Sequence, residues 1–168
     1  MIPLWNTIFV LATAVLPAHG DGTFWSPFQL ELPQDFHPIW ITAGSFNGDA
    51  KPDLAVVGSG RLSSSALVLL QDPADRPRWQ TLDIGPAGQN EYYWFVLAAD
   101  FTGDGYDDLV ACAPATGTWF HRSRGDGVFE KPTLLPRARG SRAAAAGDFD
   151  GDARLDVASA EWSFRTVT

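Results

Sequence analysis

The stretch Gly147-Asp148-Phe149-Asp150-Gly151-Asp152-Ala153-Arg154-Leu155-Asp156-Val157 decides the reading of this chain, because its pattern occurs three times. It aligns without gaps with Gly44-Ser45-Phe46-Asn47-Gly48-Asp49-Ala50-Lys51-Pro52-Asp53-Leu54 and with Ala99-Asp100-Phe101-Thr102-Gly103-Asp104-Gly105-Tyr106-Asp107-Asp108-Leu109. The polar segments begin at positions 45, 100 and 148, which are 55 and 48 residues apart. Self-similarity at such a spacing marks a repeat array, in which each unit buries its apolar face against its neighbours.

A second landmark runs in the same phase. Gly20-Asp21-Gly22-Thr23-Phe24 recurs as Gly125-Asp126-Gly127-Val128-Phe129, a tight turn leading into an aromatic strand. Phe24 precedes Ser45 by 21 residues, Phe129 precedes Asp148 by 19, and in the middle unit Trp79 precedes Asp100 by 21. There the turn falls to Asp72-Pro73-Ala74-Asp75. An apolar strand is expected to leave each acidic loop (54–57, 109–113, 155–158), a second to follow it (66–70, 118–121), and one to return to the next loop (40–43, 94–98, 143–146). The four alanines at 143–146 favour helix by propensity, but their place in the repeat overrides that preference.

The expected fold class is therefore all-β, a β-propeller with about three visible four-stranded blades. Composition agrees: 45% hydrophobic residues suit a globular chain of 168 residues, and 16 Gly with 12 Pro suit short strands and frequent turns. Propellers typically have at least four blades. The expectation is a truncated propeller, or identical three-blade chains that assemble into a ring.

The loops carry the chemistry. Calcium is a hard cation that takes 6–8 oxygen ligands, and alternate positions of a tight loop can point inward together. Positions 1, 3, 5 and 9 supply Ser45, Asn47, Asp49 and Asp53; Asp100, Thr102, Asp104 and Asp108; and Asp148, Asp150, Asp152 and Asp156. Position 7 would offer the carbonyls of Lys51, Tyr106 and Arg154. The formal ligand charges of −2, −3 and −4 rank the third site strongest and the first weakest. Gly105 suits the sharp turn at position 6, where Ala50 and Ala153 stand in the other loops. An alanine held there at positive φ would cost on the order of 1 kcal/mol. No Glu at position 12 and no flanking helices are present, so an EF-hand is not expected.

With these residues in view, the chain resembles the FG-GAP or VCBS repeat over nearly all of 20–168. The resemblance implies an integrin-α-like calcium-binding propeller of about six to eight blades, secreted or at the cell surface. Residues 21–168 would form the repeats. Residues 1–20 read either as a signal peptide, with apolar 5–16 before Ala18-His19-Gly20, or as a strand of a preceding blade. The apolar run is too short for a membrane span.

Other function classes find little support. A net charge of −8, from 20 acidic and 12 basic residues, argues against nucleic acid as a partner. His19, His37 and His121 are dispersed and form no zinc pattern. No nucleophile elbow or phosphate loop is found, and the paired carboxylates fall inside the calcium loops. Arg124-Gly125-Asp126 is explained by the repeat turn, Ser63-Ser64-Ser65 by a loop, and the single cysteine, Cys112, by burial in an apolar strand. The expected activity is non-catalytic binding of a carbohydrate or extracellular protein ligand. The alternatives are an accessory propeller of a secreted hydrolase or lyase, and a structural spacer in an adhesin. Trp25, Trp40, Tyr92, Tyr93 and Trp119 could stack on sugars or fill the core.

Overall fold

The computed structural model describes residues 7–10, 28–32, 36–60, 65–71, 78–83, 93–136, 138 and 140–161. Every regular element among them is a strand. β1 (Thr7–Val10) and β2 (Phe28–Glu31) form an antiparallel pair. β3 (Phe36–Gly44), β4 (Asp53–Gly60), β5 (Ser65–Leu70) and β6 (Arg78–Asp83) follow as a four-stranded meander. β7 (Phe95–Ala99), β8 (Asp108–Ala113), β9 (Gly117–His121) and β10 (Thr133–Leu134) repeat that order. β11 (Ser141–Gly147) and β12 (Asp156–Glu161) form a further pair. The described residues thus hold two four-stranded sheets and two two-stranded ones, rather than three full sheets.

The expected strands flanking the acidic loops are found in each unit, but the turn at 125–129 does not open a strand on Phe129, which makes only an isolated bridge to Ser123, and the fourth strand there is the short β10. Alternation of small apolar and β-branched residues lets both faces of a strand be buried, as in Leu54-Ala55-Val56-Val57 and Leu109-Val110-Ala111-Cys112-Ala113. All of β8 is buried. One face of the first full sheet presents Ala55, Val57, Ala66 and Val68 to Val96, Leu109, Ala111 and Trp119 of the second, and Phe46 and Tyr93 join them. The other face packs Val56 and Leu67 on Leu32 and Phe36. The sheets are therefore stacked in chain order. Their first strands are neighbours, β3 beside β7 and β7 beside β11. Trp40 meets Phe95 there with ring centroids 4.8 Å apart, and the Arg142 guanidinium lies 4.5 Å from the centre of the Trp94 ring. Ala143–Ala146 are extended and pair with β12, as the repeat required.

Two polar groups are buried on neighbouring strands of the second full sheet, Cys112 on β8 and His121 on β9. Cys112 is fully buried beside Thr118, and burial pushes its thiol up from the usual range, so it is an inert packing group. His121 is 1% exposed, and its Nε2 has no hydrogen-bond partner. Burial lowers its pKa from 6.5 to about 3. Between these values the unfolded chain holds a proton that the folded chain does not, so stability is present above pH 6.5 and is lost as pH falls toward 3. The expected loss is a few kcal/mol at most, about 1.4 per pH unit. Denaturant melts between pH 7 and pH 4 should show this one-proton slope in the wild type and lose it in His121→Leu.

The expected turns at 20–24 and 72–75, the strand opening on Phe24, Trp25 and Tyr92, and Ser63–Ser64 lie outside the described residues. So do most of residues 1–20, of which Thr7–Val10 forms β1. Among the described residues, no helix is long and apolar enough to cross a membrane.

Candidate metal centre

Each acidic loop closes the hairpin between the first and second strands of its unit, and it does so from the same register pair. The pairs are Gly44↔Asp53, Ala99↔Asp108 and Gly147↔Asp156. The backbone within the loops repeats as well. Position 4 is a left-handed glycine in all three, with φ of 70° at Gly48, 73° at Gly103 and 83° at Gly151. Position 6 is left-handed too: φ is 89° at Gly105, 61° at Ala50 and 65° at Ala153. Among the described residues, these two alanines are the non-glycine residues with positive φ. Ala50→Gly and Ala153→Gly should each raise stability by about 0.5–1 kcal/mol, or roughly 2–4 °C at most, in thermal melts.

Carboxylates hold this backbone in place. In the third loop Asp148 Oδ1 accepts from the Gly151 and Asp152 amides at 2.7 and 3.1 Å, and Oδ2 from Ala153 N at 3.0 Å. Asp100 does the same for Gly103, Asp104 and Gly105 at 2.7, 3.1 and 2.8 Å. Position 5 accepts from the amide two residues on: Asp49 from Lys51, Asp104 from Tyr106, Asp152 from Arg154. Position 9 ties the loop to the sheet. Phe46 N donates to Asp53 Oδ2 and Phe149 N to Asp156 Oδ2, while Gln71 N, just past β5, donates to Asp53 Oδ1. Ser123 N, past β9, donates in the same way to Asp108 Oδ1 at 2.8 Å.

The three loops differ in how closely their acids gather. Among the described residues, the third brings oxygens of Asp148, Asp150 and Asp156 within 4.8 Å of one another. Asp152 lies outside that trio and spends Oδ1 on Arg154 N. In the second loop Asp104 Oδ2 meets Arg122 Nη2 at 3.3 Å. The Tyr106 amide first, then Thr102 and Arg122, hold the Asp104 carboxyl below the usual range. Asp108 is fully buried, and its Oδ2 has no hydrogen-bond partner. Burial pushes the carboxyls of Asp108 and Asp53 up. In the first loop Asn47 Nδ2 donates to Asp49 Oδ2 at 3.0 Å.

Ser45, which replaces the capping aspartate, is fastened elsewhere: its amide donates to Asp107 Oδ2 at 2.8 Å, and Asp107 N donates to its carbonyl at 3.0 Å. The first loop therefore leans on the second. Gly127 N donates to the Phe46 carbonyl at 3.0 Å, which brings the turn of the next unit onto the same loop. Sequence reasoning missed this clasp; an extra acid at position 8 of the second loop alone was its signal.

Comparison with known families bears on the same segment. Residues 100–159 match the family described as FG-GAP-like repeat. The matched span runs from the first residue of the second acidic loop to the middle of β12, so it takes in two of the three loops and the strands between them. No curated protein matches the chain. Of the aromatic candidates for ligand stacking, Tyr93 and Trp119 are buried and Trp40 is exposed.

Proposed function

We propose that the FG-GAP-like units form part of a calcium-binding β-propeller, outside the cell, that binds a carbohydrate or protein ligand without catalysing a reaction. The observation that carries this reading is the threefold recurrence of one loop conformation at one register position, with three carboxylates gathered in the copy of highest charge. Asp-rich turns with solvated side chains have no reason to repeat a strained alanine at position 6. The donor set fits a hard cation: carboxylates, two hydroxyls, an amide and carbonyls, with no thiol or imidazole among them. The unpartnered Asp108 Oδ2 adds a buried acceptor that water does not reach.

In this reading Asp148, Asp150, Asp152, Asp156 and the Arg154 carbonyl hold the third ion. Asp100, Thr102, Asp104, Asp108 and the Tyr106 carbonyl hold the second, in competition with Arg122. Ser45, Asn47, Asp49, Asp53 and the Lys51 carbonyl form the weakest site. The stacking of sheets in chain order, first strands together, supports a radial arrangement of blades.

Titration calorimetry with calcium at pH 7 tests the metal. Binding should weaken as the pH is lowered from 7, because burial pushes the Asp108 and Asp53 carboxyls up and protons compete with the cation for them. Heats indistinguishable from dilution at pH 7 would refute it. A glycan array with a complete protein tests the ligand class.

A further inference from the structure

The first and second acidic loops are joined by more than the Ser45–Asp107 clasp. Asp53, at position 9 of the first loop, accepts from Phe46 N at 2.9 Å, and the Phe46 carbonyl accepts from Gly127 N at 3.0 Å and from Ser123 Oγ at 3.3 Å. Ser123 N donates in turn to Oδ1 of Asp108, position 9 of the second loop, at 2.8 Å. A run of buried hydrogen bonds therefore connects the equivalent carboxylates of the two loops. The side chains repeat the connection. Tyr106, whose carbonyl stands at position 7 of the second loop, lays its ring between Gly48 of the first loop and Gly125 of the turn. A Cβ at Gly48 would lie 2.7 Å from Tyr106 Cε1, and one at Gly125 would lie 2.5 Å from Cε2.

The first loop needs this support because of its own sequence. In the other two loops the position-1 carboxylate accepts from the amides of positions 4, 5 and 6 and holds the turn from within. Ser45 brings one hydroxyl in place of two carboxylate oxygens. Asp107, from position 8 of the second loop, is the carboxylate that holds residue 45 from outside. Position 8 is Pro52 in the first loop and Leu155 in the third, and neither side chain can accept a hydrogen bond. The second loop is thus the one of the three that can offer this clasp.

We propose that the first and second loops take up calcium as a coupled pair, with Asp107 and Ser123 as the residues that position the first site. This rests on the calcium reading above. When the Tyr106 carbonyl and Asp108 are engaged, the backbone that carries Asp107 and the Tyr106 ring is fixed. The first loop then loses less conformational freedom on binding, which raises its affinity. Linkage makes the effect mutual, and couplings of this kind are typically about 5–150-fold.

A calcium titration of the full chain followed by nuclear magnetic resonance reads the loops separately. The amides of Lys51, Tyr106 and Arg154 each donate to the position-5 carboxylate of their own loop, so their shifts report the three sites one by one. Asp104→Asn removes a charge from the second site and keeps an oxygen for Tyr106 N. It should raise the Lys51 midpoint about tenfold, within the usual range of coupling, and leave that of Arg154 unmoved. Asp107→Leu, which gives the second loop the residue of the third, should also raise the Lys51 midpoint, and adding Asp104→Asn to it should raise that midpoint no further. Asp107→Asn, which keeps an oxygen for Ser45 N, should preserve the coupling. Should Asp107→Leu not fold, Ser123→Ala tests the same link through the Phe46 carbonyl. A Lys51 midpoint indifferent to Asp104→Asn overturns the coupling and leaves the calcium reading intact. So does one that Asp104→Asn shifts equally with and without Asp107, as a charge acting through space would. Amides that respond to calcium in none of the three loops overturn both.

Discussion

Chelation with EDTA is expected to lower the melting temperature of this protein by about 10–20 °C. A ligand at 100 times its dissociation constant stabilises the folded state by about 2.7 kcal/mol per site. Two sites at that occupancy contribute about 5 kcal/mol, and a domain of this size moves roughly 2–4 °C per kcal/mol. The effect should concentrate in the third loop, where Asp148, Asp150 and Asp156 converge. Asp150→Asn is the informative substitution, since its amide oxygen can still accept from Asp152 N as the carboxylate does at 3.0 Å. It removes charge and spares the turn. Asp148→Ala removes three backbone acceptor contacts as well, so it should lower the melt even in EDTA. Equal melts of the wild type with calcium and with EDTA would reduce the loops to turns.

The loops were legible because they are local. A nine-residue pattern fixes its own hairpin, and the glycine at position 4 with a small residue at position 6 declares where the backbone turns left-handed. The strands were legible for a related reason: a repeat supplies the phase that propensity alone lacks, which is why Ala143-Ala144-Ala145-Ala146 could be read as strand. What the sequence hid depends on neighbours distant in the chain. The Ser45–Asp107 clasp joins residues 62 apart. Arg122, which meets Asp104, comes from beyond β9 and belongs to no loop pattern. The fate of each aromatic was equally hidden. Trp119 lies in the core with its Nε1 donating to Thr116 Oγ1 at 3.0 Å, while Trp40 stays exposed, although both are tryptophans on apolar strands. Repeat position fixes a residue's place in its own sheet. Burial is decided by which sheet comes next.

That distinction yields a second large effect, at position 2 of the loops. Phe46 is fully buried, with its ring 5.5 Å from that of Phe129 in an edge contact and its carbonyl held by Gly127 N. It reaches out of its own loop into the core between the two full sheets, among Ala55, Val57, Val96 and Ala111. Phe46→Ala is therefore expected to destabilise the chain by about 3–5 kcal/mol, from lost transfer energy and the cavity left behind. Chemical denaturation would measure it as a lower midpoint at unchanged slope. Should Phe46→Ala not fold, Phe46→Leu, which leaves a smaller void, should show the same direction at a fraction of the cost. Phe149→Ala, the same change at the same repeat position, is the control. Phe149 is exposed, so the change there should fall within about 0.5 kcal/mol of the wild type. Equal costs at 46 and 149 would mean that the phenylalanine stabilises its own loop. A large cost at 46 alone would mean that it is the hydrophobic tie between successive units, by which an array of individually marginal sheets becomes one cooperative fold.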